Sequence, residues 1–454
     1  MATISSLSIV SLNESTPTKV PPALSICSSP RNDPLDTLSR PPGRLLSFSR
    51  KLLQAKQPHD SPVASLLRSR GVQLSPRPST DVNRWKKRVR SNSDSTKTTI
   101  KKTKCSISLS YPQRRKPSKG KLSTAIDTAI KRFHTDKAKN TTFAATRFGH
   151  VMVTSTQGTR HYMEDHFVMQ LQLFEDSRAS LFGIFDGHNG NFAAEYASLR
   201  LVELVSANEQ LHSLAVRLAP LDATQSDDVL TEFDREQVNE GLQQVFEQLD
   251  EEIISQTIAN KSRDGSTALI ALILGNGIFV ANVGDTRAVR GVHTGNELTS
   301  QRVSLDHKPT LDDEKNRIEQ SGGKVVYSGC WRVAHDEIGL RLAVSRSLGD
   351  HPLKVNLPAS CSAPLVSCQP SIEYFSIAEA GEFLVLASDG LWDRVSDEEA
   401  VEAVHSSLNL HDQQHNAVRE GLKAAVHSLV ESALTKKSYD NITVMLLHLS
   451  SNSN

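Results

Sequence analysis

From about residue 147 onward, short apolar runs alternate with amphipathic stretches. Residues 148–154, 181–185, 267–274, 278–283, 383–387 and 442–447 are rich in Val, Ile, Leu, Phe and Ala over strand-like lengths. Gly275-Asn276-Gly277 separates the third and fourth of these runs, a turn signal that predicts an antiparallel hairpin. Three stretches read as helices. Residues 311–320 follow Thr310 as N-cap, carry Asp313 three residues on and stop at Gly322-Gly323. Ser396-Asp397-Glu398-Glu399 forms a capping box ahead of 400–408. Residues 417–434 place apolar side chains at 418, 422, 425, 426, 429, 430 and 433, one face of a helix. Strands in hairpins and helices in pairs predict an α+β fold with antiparallel sheets, not a doubly wound parallel one. Residues 207–237 read as an insertion between helices. Upstream, no apolar period is sustained, and only 44–54 and 123–133 suggest short helices. The expected organisation is a disordered Ser/Pro-rich head over 1–145 and one domain over 146–450.

Charge sharpens that division. The 454-residue chain has 52 basic and 51 acidic residues, a net charge of only +1. Residues 1–140 hold 28 Lys/Arg against 8 Asp/Glu (+20), which leaves 24 against 43 (−19) for the remainder. The head carries Lys86-Lys87-Arg88-Val89-Arg90, Lys101-Lys102-Thr103-Lys104 and Arg114-Arg115-Lys116. Three readings stand open for it: a solvated tail, a nuclear-import or polyanion-binding patch, and an organellar transit segment. Ser61-Pro62, Ser75-Pro76 and Ser118 resemble kinase sites, and a +20 head is suited to dock on a −19 body. The longest apolar run, 268–274, is far below the roughly 18 residues a membrane span needs. Five cysteines without a CxxC pair argue against a disulfide framework or zinc ribbon, and for a reducing compartment inside the cell. A soluble protein of the cytoplasm or nucleus is expected, with organellar targeting by the head left open.

Acidic residues recur where the apolar runs end. Asp186 follows Leu-Phe-Gly-Ile-Phe, Asp389 follows Leu-Val-Leu-Ala-Ser, Asp285 follows Val283-Gly284, Asp440-Asn441 precedes the last run, and Glu164-Asp165 borders Phe167. Any one of them is ordinary turn chemistry. Together, on neighbouring strands, they would form a cluster of like charges that needs cations. Oxygen donors without Cys or paired His point to magnesium or manganese. Two such ions make a centre for hydrolysing phosphate esters.

Seven motifs occur in order: Arg160-His161-Tyr162-Met163-Glu164-Asp165; Phe185-Asp186-Gly187-His188; Asp264-Gly265-Ser266-Thr267-Ala268; Asn282-Val283-Gly284-Asp285-Thr286-Arg287; residues 342–350; residues 387–393; and Asp440-Asn441-Ile442-Thr443. From about 148 to 449 the chain resembles the metal-dependent Ser/Thr protein phosphatases, the protein phosphatase 2C family. That resemblance implies a four-layer α-β-β-α sandwich with two Mg2+ or Mn2+ ions at one edge of the sheets. Asp186 would bridge the ions. Asp389 and Asp440 would complete one site, with Asp165 holding a water there, while Glu164 and the Gly187 carbonyl complete the other. Asp285, with Asp389, matches a weaker third site. Arg160 would grip the substrate phosphate and His188 would protonate the leaving serine or threonine oxygen. The implied reaction is direct attack on phosphoserine or phosphothreonine by a metal-bridged water, on phosphoprotein partners, by a monomer with no role for nucleic acid in the catalytic domain.

Some positions depart from the family pattern. Asn189 replaces a glycine after Asp-Gly-His, Tyr439 stands where arginine is common, and residues 351–370 occupy a variable flap beside the site. Asp264, Asp350, Asn282 and Trp392 read as turn, loop, buried polar and core residues. Two rivals remain open at this point: a catalytically inactive relative acting as a scaffold, and a two-metal nuclease favoured by the basic head. The first loses support because none of the five principal acidic ligands is missing.

Overall fold

Two six-stranded antiparallel sheets face each other, each covered on its outer side by helices. The computed structural model describes residues 72–74, 119–136, 140–174, 179–218, 230–295, 297–411 and 417–449, all within a unit beginning at Pro58. The first sheet runs β1 (Val72–Leu74), β4 (His166–Gln170), β5 (Ala179–Phe185), β8 (Ala268–Leu274), β9 (Gly277–Val283), β16 (Ser371–Ser376). The second runs β11 (Glu297–Arg302), β10 (Arg287–Thr294), β17 (Phe383–Ala387), β18 (Ile442–Leu449), β3 (Gly149–Thr156), β2 (Thr141–Thr146). Helices α2 (Phe192–Ala207), α3 (Glu209–Arg217) and α4 (Glu232–Ala259) pack on the first sheet; α1 (Lys119–Asp136), α7 (Asp397–His411) and α8 (Ala417–Thr435) pack on the second. This is the expected four-layer α-β-β-α sandwich.

The layering explains the apolar runs. Phe383, Val385 and Ala387 of β17 pack toward the helices, while Leu384 and Leu386 pack between the sheets. A strand buried on both faces cannot alternate apolar with polar, so it reads as continuous hydrophobicity. The same holds for β8, buried at every position. The hairpin at Gly275-Asn276 forms as its sequence predicts: Leu274 pairs with Gly277, and Gly275 adopts φ 58°.

Two smaller sheets complete the described part. β12 (Lys324–Tyr327), β13 (Trp331–His335) and β14 (Ile338–Leu342) share a separate apolar cluster with Ile318, Leu353, Leu365 and Val366. The flap is therefore larger than residues 351–370; that segment forms the foot of a module that begins near α5 (Asp312–Gln320). The other small sheet joins β6 (Gly187–His188), β7 (Gly265–Ser266) and β15 (Leu348–Gly349).

Local signals were partly redistributed. Ser396 and Glu399 make the reciprocal capping box, with backbone N to Oε2 at 2.9 Å and backbone N to Oγ at 3.2 Å. At α5 the N-cap is Leu311, not Thr310, and no side chain caps it; Asp312, Asp313 and Glu314 in the first turn face the helix dipole instead. The supposed insertion at 207–237 contains α3, whose Leu211, Leu214 and Ala215 are buried in the first helical layer. Residues 219–229 lie outside the described part, as does the suggested helix at 44–54.

The suggested helix at 123–133 extends over Lys119–Asp136 and packs against the domain, as does β2, which pairs with β3 across the 145/146 boundary. Ile126, Ala129 and Phe133 are buried, and the Phe133 ring meets His427 of α8 edge-on at 5.6 Å. Phe133→Ala is therefore expected to cost about 3–5 kcal/mol, read as a lowered Tm in a thermal melt. A truncation that begins at Thr141 should be destabilised in the same way.

Candidate active site

Antiparallel pairing sets the start of one strand beside the end of the next. His166 at the start of β4 pairs with Phe185 at the end of β5, so Glu164-Asp165 and Asp186 emerge together. Ala387 at the end of β17 pairs with Val444 near the start of β18, so Asp389 and Asp440 emerge together. Ala268 pairs with Val283, which carries Asp285 to the same edge. The acidic strand ends thus converge on one rim of the two sheets.

Asn441 fastens that rim. Its Oδ1 accepts from the Glu164 backbone N–H at 2.8 Å, and its Nδ2 donates to the Gln157 and Tyr162 carbonyls at 2.9 and 3.0 Å. Asp165 is almost fully buried, and its Oδ2 accepts from Ser388 and Thr443 at 2.8 Å each. Its Oδ1 is buried with no partner. Glu164 Oε1 accepts from the Gly190 N–H at 2.8 Å. Gly187 lies so close to this strand that an added Cβ would stand 2.5 Å from the Glu164 carbonyl oxygen.

Charge accumulates here uncompensated. Burial above all pushes Asp186 well above the usual carboxylate range, and Asp165, Asp389, Asp440 and Asp285 add to it. Burial likewise raises Asp389, reinforced by Asp285, Asp440 and Asp393. Asp165 is held up at about 7, chiefly by burial, against the pull of its two hydroxyl donors. Neither the Asp186 nor the Asp389 carboxylate accepts a side-chain hydrogen bond from any described residue. Cations answer only the periphery: Arg160 pairs with Asp440, and Lys308 with Asp285. An all-oxygen donor set with an orphaned buried oxygen fits hard dications of the magnesium or manganese type.

Proton and metal compete for such a set. A carboxyl whose folded pKa lies above its unfolded value stabilises the fold at low pH and loses that contribution as pH rises through the folded value. Without dications, the stability held by Asp165, Asp186 and Asp389 should therefore decline as pH rises to about 7 and beyond. The Tm gain on adding Mn2+ should accordingly be small near about pH 5 and large near about pH 8. Melts with and without Mn2+ across that range check it.

His188 belongs to a second group. Its Nε2 lies 2.7 Å from Asp350 Oδ2, an oxygen that also accepts from Ser347 Oγ at 2.7 Å. Burial opposes charging the imidazole, but the charge and hydrogen bond of Asp350, aided by Asp285 and Glu164, outweigh it and raise the pKa. The β6-β7-β15 sheet brings these residues together: His188 pairs with Gly265, which in turn pairs with Gly349. A Cβ on Gly265 would stand 2.1 Å from Asp350 Oδ2 and 2.4 Å from His188 Nε2, so only glycine admits this contact.

The family description "Protein phosphatase 2C" matches residues 149–442. This chain belongs to the protein phosphatase 2C family. The phosphatase is 36% identical over 302 residues to protein phosphatase 1L of Bos taurus, covering 65% of this chain and 71% of that protein. It is 34% identical over 294 residues to probable protein phosphatase 2C 52 of Oryza sativa subsp. japonica, covering 65% of this chain but only 49% of that one. Its fold resembles the crystal structure of serine-threonine phosphatase 2C from Toxoplasma gondii, with a TM-score of 0.57 and 24% identity over 68% of this chain and 99% of that one.

Several partners in the phosphatase site were not assigned from the motifs. Asp350, read as a loop residue, is fully buried at φ 52° and holds His188. Asp264, read as a turn residue, lies against Gly190, where an added Cβ would stand 2.3 Å from its Oδ1, and its carbonyl accepts from the Asp350 N–H at 3.1 Å. Lys308, which no motif marks, occupies Asp285, so a third ion there would have to displace an ammonium group. Asn189 adopts φ 60°, a region asparagine tolerates in place of glycine. Tyr439 forgoes the ion pair an arginine would make; the Arg394 guanidinium lies 6.0 Å from its ring centroid instead. Asn282 donates to the Gly284 and Leu305 carbonyls, and Trp392 is core, with Nε1 donating to the Ala387 carbonyl at 2.8 Å.

Proposed function

We propose that the chain is a metal-dependent serine/threonine phosphatase that hydrolyses phosphoserine and phosphothreonine monoesters on protein substrates, acting as a monomer. The observation that carries this reading is the buried, mutually repelling set Asp165, Asp186 and Asp389, with Asp440 and Glu164 at its rim. Asp186, Asp389, Asp440, Asp165, Glu164 and the Gly187 carbonyl would hold two Mg2+ or Mn2+ ions, with Asp285 available to a weaker third. When bound, such ions supply Lewis acidity that makes water a nucleophile near neutral pH and offsets phosphate charge.

The chain's own groups complete the chemistry. Arg160 is half-exposed at the rim and already grips one anion, Asp440; exchanging it for a substrate phosphate oxygen uses the same guanidinium fork. His188 is held by Asp350 at Nε2, which leaves Nδ1–H to protonate the departing serine or threonine oxygen. The raised pKa favours the protonated imidazole. Asp350→Asn should weaken this support, lowering turnover and moving the alkaline limb of the pH–rate profile to lower pH, measured on a phosphopeptide.

The proposal includes an intracellular setting, which suits the free thiols Cys330, Cys361 and Cys368, with the basic head as an address or regulatory segment. No helix among the described residues is long and apolar enough to cross a membrane. The decisive experiment assays phosphopeptide, aryl phosphate and DNA with Mn2+, with EDTA, and in the Asp186→Asn/Asp389→Asn variant. Monoester cleavage that depends on the ion and both aspartates is expected. Metal-independent cleavage, or none, would reject the reading, and DNA cleavage would favour a nuclease.

A further inference from the structure

Away from the catalytic rim, His293 near the end of β10, Glu382 just before β17 and His405 on α7 converge. One ligating atom from each lies within 4.8 Å of the others, the only such trio among the described residues. We propose that these three side chains form a binding site for a borderline transition dication of the zinc type, separate from the catalytic ions.

The distances favour coordination over hydrogen bonding. His405 Nδ1 stands 3.4 Å, and His293 Nε2 3.6 Å, from the same oxygen, Glu382 Oε2. Both exceed the roughly 2.7–2.9 Å of a charge-assisted hydrogen bond. Two donors each about 2.0–2.1 Å from a tetrahedral zinc ion are separated by about 3.3–3.4 Å, close to what is seen. Two imidazoles and one carboxylate form a nitrogen-rich set that suits zinc and not magnesium. The fourth position would go to water, since all three side chains are partly exposed at 48%, 29% and 27%.

The site is also held in place. Asn409, one turn along α7, has its amide 2.9 Å from His405 Nε2; turned to accept from Nε2–H through Oδ1, it would leave Nδ1 unprotonated toward Glu382 and able to bind an ion. Glu382 is anchored by its backbone, whose N–H donates to Gly291 at 3.2 Å and whose carbonyl accepts from Leu449 at 3.0 Å. Glu382 ion-pairs with no Lys or Arg among the described residues, so no fixed cation competes for it. The site lies at the opposite end of β17 from Asp389, seven residues or about 23 Å of extended chain away. An ion there would tie α7 to β10 and to the start of β17 without touching the catalytic rim.

The test titrates zinc chloride into the full-length protein in excess magnesium, followed by calorimetry and thermal melts. One tight equivalent and a raised Tm are expected. His293→Ala, His405→Ala and Glu382→Gln should each weaken binding by at least about tenfold and abolish the Tm gain, while phosphatase turnover in magnesium stays unchanged and shows that each variant is folded. Co2+ in place of zinc should give a visible absorption band of tetrahedral cobalt that His405→Ala removes. Absent stoichiometric binding, affinity unchanged in all three variants, or binding lost only in Asp186→Asn would overturn the proposal.

Discussion

Asp186→Asn is expected to lower phosphopeptide turnover by about a thousandfold or more and, in the metal-free protein, to raise Tm. The two effects share one cause. Asp186 is enclosed by protein and surrounded by the charges of Asp165, Asp389, Asp440 and Asp285, so its ionised form is costly wherever no dication is present. An asparagine of nearly the same shape removes that charge and leaves the packing alone. The variant should gain a few degrees in metal-free melts at about pH 8 and lose the Mn2+-dependent gain seen for the wild type. Asp389→Asn should behave alike, because burial and the same neighbours raise its carboxyl. Lower activity together with lower metal-free stability would mean that Asp186 supports the fold and not a dication.

Gly390→Ala should be nearly as damaging, through backbone geometry. A Cβ at residue 390 would stand 1.9 Å from the Asn441 carbonyl oxygen, a backbone atom that cannot turn aside. Gly390 is the second residue of the short helix α6 (Asp389–Trp392) that follows β17, and its own carbonyl accepts from Ser438 Oγ at 2.7 Å. These contacts press the Asp389 segment against the Asp440-Asn441 segment. Forcing them apart should cost about 3 kcal/mol or more and separate two of the aspartates assigned to a metal. The expected result is a lowered Tm, a Mn2+ requirement displaced to higher concentration and turnover reduced at least about a hundredfold, measured by melts and metal-titrated assays. Normal Mn2+ dependence in this variant would show that the two segments need not touch for the site to form.

Much of the architecture was readable because burial leaves marks on a sequence. The six apolar runs lie in strands, since strands buried on both faces can hold no polar alternation. Gly275-Asn276 and Ser396-Glu399 act locally, so their effect survives any tertiary context. At α5 the local signal does not hold: Leu311 is the cap, and the carboxylates of the first turn, not the Thr310 hydroxyl, face the helix N-terminus. Helix α1 is weakly marked in the sequence: its apolar face is short, and Ala129 and Phe133 are buried in a cluster with β3 and with α8, a partner nearly 300 residues away.

A basic head, an apolar α+β body with antiparallel strands and acidic strand ends in the order of the phosphatase family are all legible in the chain read residue by residue. These are properties of neighbouring residues, which composition and spacing record. That Asp350 reaches His188, that Lys308 occupies Asp285 and that Glu382 meets two histidines from β10 and α7 emerges from the folded chain alone. The physical reason is register: which residues meet is set by strand pairings such as His188 with Gly265 and Gly291 with Phe383, and those depend on how the whole chain packs.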